Sequence, residues 1–441
     1  MAYRTTVTRH QKLILPEILF TAVTLCLLLL LAGPSSAADV NLSSRTYGLL
    51  YERDHAGVEK DTYAPLYEYL SADVGNLGGK PLFFRFSGWG RVDLGEDSGA
   101  DGASGEISSL YLEYLHPEGN AQAKLGRFFL TEGAAMDTLD GAFVKMTTPL
   151  GVGISLYAGI PVEYSILDNV ERGDSLYGGR LFYARGGIVE VGFSYLKEDG
   201  STGDKDRELI GGDLWLRIAK GVEINGQAAY DREVSEMASQ RYAIRFIPGS
   251  AFDITAGYET YSYEGLFRPA LNPVFTHPTA DNTDDVQKIF IIMDWGFAPG
   301  WTLEVGGKNI RHDRSDPGDA NRGEIGVRYG YNGGKDMAGA SAAFTAADRD
   351  ENEYSEFRAF ATYSPDKLRL TLDAIAQYYK ESISSKKNAF QIVATAGYRF
   401  LDTLQLSGNL TFSQDPVYEK DLAGLVRLSY DFGIQTGGTK K

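Results

Sequence analysis

The feature that most constrains the fold is the alternation of apolar and polar residues along most of this 441-residue chain. It runs from about residue 42 to residue 432 in a dense series of short segments. In residues 367–379, for example, Leu368 and Leu370 fall on one face and Arg369 falls on the other. A β-strand places successive side chains on opposite faces, so the pattern predicts an all-β fold.

The connections between these segments alternate between short and long, which narrows the fold class further. Shorter turns are predicted at residues 73–80, 117–120, 149–151, 186–187, 220–221, 248–250, 299–300, 332–334, 365–366 and 401–402. Longer polar stretches are predicted at residues 161–177, 198–206, 232–237, 263–284, 313–320, 348–352, 380–388 and 413–421, and further long stretches in the first third at 52–65, 94–105 and 130–137. Outer-membrane barrels have short periplasmic turns and long external loops. We therefore predict a single transmembrane antiparallel β-barrel of about 22 strands, with about 18 or 20 as alternatives because the first third is less regular.

The first 38 residues have the pattern of a signal peptide. Basic residues come first, then an apolar run from Ile18 to Ala32, then small residues up to Ala38. The run is about 15 residues long, shorter than the roughly 20 that span a bilayer as a helix. An uncleaved membrane anchor is the alternative. We predict a signal peptide at residues 1–38, a barrel at 39–432 and a polar tail at 433–441.

Charge and cysteine content exclude several classes of function. The chain carries 59 acidic and 43 basic residues, a net charge of −16, which argues against nucleic-acid binding. Its one cysteine, Cys26, lies in the predicted signal peptide. The mature chain would therefore have no disulfide, no thiolate metal site and no haem attachment motif, and no cofactor of its own is predicted. Acidic external loops would instead share divalent cations with lipopolysaccharide in the outer membrane, beside its lipid.

Alternation also predicts which residues line the lumen. The charged residues assigned to the inner face are Arg85, Arg91, Asp213, Arg217, Arg245, Glu304, Lys308, Arg369, Asp373, Arg427 and Asp431. Rows of opposite charge could select polar solutes. The alternative is that these charges only pair across strands and keep the interior wet, since charge costs little against water and much against lipid. Aromatic residues predicted to form the outer girdles are Tyr242, Phe246, Trp301, Tyr378, Tyr430 and Phe432. The alternative, aromatics that stack on a ligand as in sugar porins, needs them on the inner face, where Trp89 and Trp215 fall.

The sequence does not predict an enzyme. His312 is followed by Asp313, but neighbouring residues on a strand point to opposite faces, so this pair does not form a catalytic unit. The acidic cluster at residues 348–353 is interpreted as a solvated loop, and no metal site is predicted.

Three short motifs are similar to those of a known group of proteins. They are Leu125-Gly126-Arg127-Phe128, Leu139-Asp140-Gly141-Ala142 and Tyr157-Ala158-Gly159-Ile160-Pro161. Together they resemble porin-type outer-membrane barrels of Gram-negative bacteria, in particular those of metal-reducing, Geobacter-like species. Some barrels of this kind are porins, and others are sheaths in porin–cytochrome conduits. The resemblance implies either a porin-like channel for small hydrophilic solutes or ions, or a structural sheath around a multihaem c-type cytochrome.

Lumen width is the physical clue to function. About 22 strands leave a wide lumen. The first strand is expected within a few residues of Asp39, with no plug domain before it. The lumen would then be narrowed by an inward loop, left open, or filled by a partner. The longest loop, Tyr263–Asp285, is the candidate for narrowing it, and an ordered external loop is the alternative.

Overall fold

The computed structural model describes residues 39–53, 61–94, 103–163, 171–172, 175–199, 206–262, 285–313, 318–416 and 421–435. The predicted signal peptide, the 263–284 stretch and residues 436–441 of the predicted tail lie outside the described residues. Within the described part of the chain, no helix is long and apolar enough to cross a membrane.

The described residues form one closed antiparallel barrel, as the alternation predicted. Of 24 β-strands, two are short: Asp61–Tyr63 extends the second wall strand, and Glu171–Arg172 pairs with the end of the seventh. The other 22 form the wall. They are β1 Asp39–Arg53, β2 Pro65–Gly75, β3 Leu82–Asp93, β4 Ala103–Leu115, β5 Ala121–Glu132, β6 Ala135–Thr147, β7 Val152–Glu163, β8 Ser175–Arg185, β9 Val189–Asp199, β10 Arg207–Ala219, β11 Val222–Asp231, β12 Glu236–Gly249, β13 Phe252–Ser262, β14 Asp285–Ala298, β15 Trp301–His312, β16 Ala320–Tyr331, β17 Asp336–Ala347, β18 Tyr354–Tyr363, β19 Leu368–Ile383, β20 Lys386–Leu401, β21 Leu404–Gln414 and β22 Asp421–Gln435.

The barrel closes because the last strand pairs with the first. The β1–β22 ladder runs from Asp39 opposite Gln435 to Tyr51 opposite Ala423. β22 therefore continues three residues past Phe432, where the barrel was expected to end. Three short 3-10 helices lie in connections of the described part of the chain, at Leu77–Gly79, Asn332–Gly334 and Asp350–Asn352.

The outer face of the wall is apolar and exposed. On β19, Leu370 and Leu372 are 39% and 49% exposed, and the charged Arg369 and Asp373 lie on the other face. Five of the predicted girdle aromatics are exposed large side chains as well: Tyr242, Phe246, Trp301, Tyr378 and Tyr430. Phe432 is half-buried. An exposed apolar outer face on most strands suits contact with lipid rather than water.

Three predicted long loops are short turns between long strands. Residues 130–137 contain only the turn Gly133-Ala134, residues 232–237 contain a turn at 232–235, and 380–388 contain the pair Ser384-Ser385. β19 and β20 are 16 residues long, whereas about 9–11 residues suffice to cross a bilayer. Strands of this length are longer than the bilayer requires, so polar residues at their ends can lie in water and need not form a loop.

Candidate functional site, the lumen and its inward hairpin

The hairpin of β5 and β6 leaves the barrel wall partway along its length. β5 pairs with β4 only over residues 122–127, and β6 pairs with β7 only over residues 139–147. The two strands stay paired with each other up to the turn Gly133-Ala134. Residues 128–138, which we call the inward hairpin, therefore extend beyond both neighbouring ladders.

A row of glycines lies where the hairpin departs. Gly126, Gly141 and Gly159 are direct cross-strand neighbours on β5, β6 and β7. Gly126 has φ +125°, and a Cβ there would lie 2.3 Å from the Leu110 carbonyl oxygen. At Gly141 the corresponding distance to the Ala158 carbonyl oxygen is 2.2 Å. Glycines let the strands bend sharply and approach closely. Each of the three sequence motifs supplies one glycine of this row.

The tip of the hairpin touches the wall several strands away. The Ala134 amide donates to Ser194 Oγ on β9 at 2.9 Å, and Gln227 Nε2 on β11 donates to the Gly133 carbonyl at 3.2 Å. Ser194 lies on the face of β9 opposite Val191 and Phe193, which are 44% and 58% exposed. The hairpin therefore covers the polar face of these strands and not the apolar face, which places it on the lumen side. Gly133 has φ +62°, and a Cβ there would lie 2.4 Å from Ser194 Cβ, so the contact requires glycine.

Apolar side chains attach the hairpin to this wall. Phe128, Leu130 and Leu139 are 1%, 3% and 0% exposed. The cluster that they form with the wall also contains Ala135, Phe143, Tyr157, Leu176, Leu196, Leu209, Ala229 and Ala238. Complete burial of a Leu or Phe side chain stabilises by about 1.5–3 kcal/mol. The hairpin is thus packed like part of a protein core.

A buried arginine joins the hairpin end to three wall strands. Arg180 of β8 is 6% exposed, and its Nη1 lies 3.3 Å from Glu132 Oε1 on the hairpin. Its other guanidinium nitrogens donate to Glu190 on β9, at 2.9 Å, and to Asp213 on β10. Lys145 Nζ also contacts Glu132, at 3.2 Å. The charges compensate one another, which a buried cation requires.

A second ion pair holds the other strand of the hairpin. Arg207 Nη2, on β10, lies 2.8 Å from Asp137 Oδ1 and 3.0 Å from Glu198 Oε2. Glu198 is 1% exposed, so this pair lies under the hairpin.

Arg127 bridges the place where β4 and β5 separate. Its Nε and Nη2 donate to the Asp140 carboxylate at 2.7 and 2.8 Å, and its Nη1 donates to the Ile107 carbonyl on β4 at 2.9 Å. The fork of guanidinium donors allows both contacts at once. Arg127 thus replaces one backbone hydrogen bond of the interrupted ladder and fastens the base of the inward hairpin.

The lumen is wide even with the hairpin inside it. Strands about 4.8 Å apart and tilted by about 40° close, at 22 strands, into a ring about 45 Å across. Side chains occupy about 5 Å on each side and leave a bore of about 35 Å. The hairpin adds one layer of about 10 Å on one side, which leaves about 25 Å among the described residues.

Most of the predicted lumen charges lie in ion pairs along the inner face. The pairs are Arg85–Glu113 at 2.7 Å, Arg91–Asp93 at 3.2 Å, Arg217–Glu223 at 2.8 Å, Glu304–Arg328 at 2.7 Å, Asp373–Arg358 at 2.5 Å, Asp431–Arg45 at 2.6 Å, Arg245–Asp253 and Asp213–Arg180. Arg427 Nε donates to Ser407 Oγ at 3.2 Å. Arg369 shares a strand face with Asp373.

Lys308 lies in a second charged region of the lumen wall, between β12 and β16. A cavity of about 340 Å³ there is lined by the cations Arg241, Lys288, Lys308 and Arg322 and by Glu259 and Glu324. Lys288 Nζ contacts Glu259 at 2.5 Å, and Arg322 contacts Glu356 at 2.6 Å. Arg241 and Glu259 also line a cavity of about 590 Å³ beside the hairpin tip. The cationic wall therefore begins where the hairpin ends.

Sequence reasoning missed the residues that hold the hairpin. Glu132 and Asp137 fall in the stretch taken for a loop, and Arg180 and Arg207 were not singled out. A local signal did exist: Lys124, Phe128 and Leu130 share one face of β5, which indicates a strand continuing to the turn. That signal does not show whether the strand stays in the wall or bends into the lumen.

Within the described residues, no group of three or more His, Cys, Asp or Glu residues is placed to hold a metal ion. In the acidic cluster near residue 350, Lys380 Nζ contacts Asp350 at 2.8 Å and Glu353 at 3.2 Å.

The fold and lumen define the chain as a 22-stranded antiparallel β-barrel. Comparison with protein-family models and with curated proteins finds no match. Among solved structures, the P pilus usher (PapC) translocation pore is similar with a TM-score of 0.44 and 11% identity, over 89% of this chain and 100% of that chain. The E. coli P pilus tip assembly intermediate PapC-PapD-PapK-PapG has a TM-score of 0.49 and 11% identity, over 91% and 61%. Pseudomonas aeruginosa OccK7 (OpdD) has a TM-score of 0.44 and 9% identity, over 90% and 100%. At such identities the likeness concerns the barrel fold alone.

Proposed function

We propose that this chain is an outer-membrane channel that passes small hydrophilic solutes or ions between the inward hairpin and the opposite lumen wall. The observation that carries the proposal is the exposure of charged side chains inside the barrel. Arg358 is 50% exposed and Asp431 is 58% exposed, although both face the lumen in ion pairs. The described residues of the chain itself leave these charged groups uncovered, and charged side chains facing a lumen are favourable where water reaches them, which supports a water-filled path.

The outer face supports a membrane location for this path. Exposed Leu, Ile, Val and aromatic side chains cover it, and charged residues lie mainly on the other face. In lipid, a closed barrel satisfies its backbone hydrogen bonds between strands. An outer-membrane location follows from combining this barrel with the predicted export signal.

The paired charges bear on selectivity. Most lumen cations lie beside a carboxylate, so the described wall has no ring of charges that all have the same sign. The one region richer in cations is the patch described at β12–β16. We infer weak ion selectivity and high conductance, with the inward hairpin as the narrowing element.

Single-channel recording in planar bilayers tests the proposal. The variant replaces Phe128–Leu139 by Asn-Gly, because Arg127 and Asp140 are cross-strand partners that a two-residue turn can join. The control replaces the turn at residues 232–235 by Asn-Gly. The wild type should conduct in uniform steps, the hairpin variant in larger steps, and the control like the wild type. Absence of conductance in correctly folded wild-type protein would contradict the channel.

The lumen width favours one second candidate, a sheath around a multihaem cytochrome. A free bore of about 25 Å exceeds what small solutes need and is wide enough for a slender protein domain. In this case the barrel insulates a haem chain supplied by another polypeptide. Purification from native outer membranes followed by haem staining tests it: haem should copurify with the barrel, whereas a haem-free barrel that conducts alone would favour the channel.

A further inference from the structure

A strip of aromatic side chains runs along the lumen face of β1, β2 and β3, away from the inward hairpin. Tyr47 and Tyr69 have ring centroids 5.5 Å apart, and Tyr69 and Tyr67 are 6.3 Å apart. Tyr67 is 6.4 Å from Trp89. These four residues, which we call the aromatic strip, form one continuous group of rings across three strands.

Strand register places the strip inside the barrel. Tyr69 stands opposite Arg45 on β1 and opposite Trp89 on β3. Cross-strand partners share a face, and Arg45 forms its ion pair with Asp431 on the lumen side. Tyr69 is 44% exposed, so its ring surface is open to the lumen.

Most of the charges beside the strip are paired, and Arg427, the cross-strand neighbour of Tyr47, donates to Ser407 Oγ. Arg45 lies 2.6 Å from Asp431, Arg85 lies 2.7 Å from Glu113, and Arg91 lies 3.2 Å from Asp93. The Arg91 guanidinium also covers the Tyr67 ring at 5.7 Å. The strip thus offers aromatic faces next to polar groups that carry little net charge, in contrast to the cation-rich patch at β12–β16.

This combination matches one class of solute. A sugar ring has an apolar face of C–H groups that packs on aromatic rings, and an edge of hydroxyls that both donate and accept hydrogen bonds. Paired guanidinium and carboxylate groups can serve such hydroxyls without requiring a charged ligand. From the stacked pair Tyr51–Tyr63, 5.0 Å apart, to Tyr69, the aromatic positions extend over about 20 Å, enough to contact several rings of a chain at once.

We propose that the aromatic strip is a binding track for neutral sugars, in particular linear oligosaccharides, on their way through the barrel. The proposal rests on the channel function and names a substrate class for it. Several shallow contacts in series, each weak, would hold a passing chain in the lumen without trapping it.

The test is the blocking of single-channel current by maltohexaose. The wild type should show brief interruptions whose frequency rises with maltohexaose concentration. Tyr69→Ala and Trp89→Ala should each raise the half-blocking concentration by about threefold to tenfold, the effect of losing one aromatic contact. Tyr69→Phe should stay close to the wild type. Phe290→Ala is the matched control, since it removes a ring from the lining of the β12–β16 cavity and should leave the blocking unchanged.

The outcomes separate this inference from the channel itself. If the wild type does not conduct, the channel proposal fails. If it conducts but maltohexaose does not interrupt the current, or if Tyr69→Ala and Phe290→Ala weaken blocking equally, the strip does not bind sugar. Stronger blocking by oligogalacturonate or by a planar aromatic solute than by maltohexaose would also overturn the assignment. Unchanged open-channel conductance in each variant shows that it has folded.

Discussion

The wall beneath the inward hairpin and the wall formed by β18–β22 face the same lumen but have opposite environments. Under the hairpin, Arg180 is 6% exposed and Leu196 is 0% exposed. On the other wall, Arg358 is 50% and Asp431 is 58% exposed. Both walls follow the same two-residue alternation. A lumen face therefore becomes a packed core or a water-exposed surface depending on whether another part of the chain folds over it.

The inward residues of the two walls differ in kind accordingly. The covered strands β8, β9 and β10 place Leu176, Leu196 and Leu209 inside, each at most 4% exposed. The uncovered wall places Arg358 and Asp373 at such positions. Without the hairpin, the three leucines would form an apolar patch in water. Leucines therefore occur at the inward positions that the hairpin covers.

The largest difference in stability between variants of the two walls should come from replacing their arginines. Arg180→Ala would break the buried pair with Glu132, which keeps only the half-exposed Lys145 as a cation, and should lower the free energy of unfolding by about 3–5 kcal/mol. Urea unfolding in lipid vesicles, followed by tryptophan fluorescence, measures it. A loss below 1 kcal/mol would mean that the hairpin does not cover this residue.

The core under the hairpin should respond nearly as strongly. Leu139 is 0% exposed, so Leu139→Ala should cost about 2–5 kcal/mol through lost burial and the cavity left behind. Ile292, on the lumen side of β14 and 50% exposed, is the matched control, and Ile292→Ala should cost less than about 1 kcal/mol. If the two variants lost equal free energy of unfolding, the wall under the hairpin would not be more tightly packed than the exposed wall.

A substitution at the hairpin tip should have a smaller and more local effect on stability. Gly133→Ala places a methyl group against Ser194 and strains a left-handed residue, which should cost about 1–3 kcal/mol and increase conductance by displacing the tip. Gly119→Ala is the control, because φ is +72° there but no atom lies within 4 Å. It should cost about 1 kcal/mol and leave conductance unchanged. An identical conductance in both variants would argue against the contact.

The smallest effect on stability is expected on the uncovered wall. Arg358→Ala removes one exposed ion pair with Asp373 and should change the free energy of unfolding by about 0–1 kcal/mol. Because it leaves a carboxylate facing the water path, cation preference should rise slightly, measured as a shift in reversal potential under a salt gradient. A destabilisation as large as that of Arg180→Ala would contradict the conclusion that this wall is exposed to water.

The sequence predicts the barrel well because its evidence is local. Alternation along β19 determines which side chains face lipid, and the glycine and proline turns mark the strand ends. The inward hairpin depends on contacts between residues far apart in sequence, such as Ala134 with Ser194 and Gly133 with Gln227. Two strands joined by a Gly-Ala turn have the same local sequence pattern whether the hairpin stands in the wall or folds inside. The glycines of the three motifs were visible, but their alignment into one row needed the strand register.

The most direct test of the account is a disulfide between the hairpin tip and the inner wall. A Cβ at position 211 would lie 2.8 Å from Ala134 Cβ, close enough for a disulfide after a small adjustment to the usual separation of about 3.5–4.5 Å. Ser43→Cys with Ser71→Cys, whose hydroxyls are 2.6 Å apart, is the positive control in the wall. If the hairpin lies inside the barrel, Ala134→Cys with Gly211→Cys should crosslink under mild oxidation in the membrane as readily as the control. Crosslinking of the control pair alone would show that the hairpin does not lie inside the barrel.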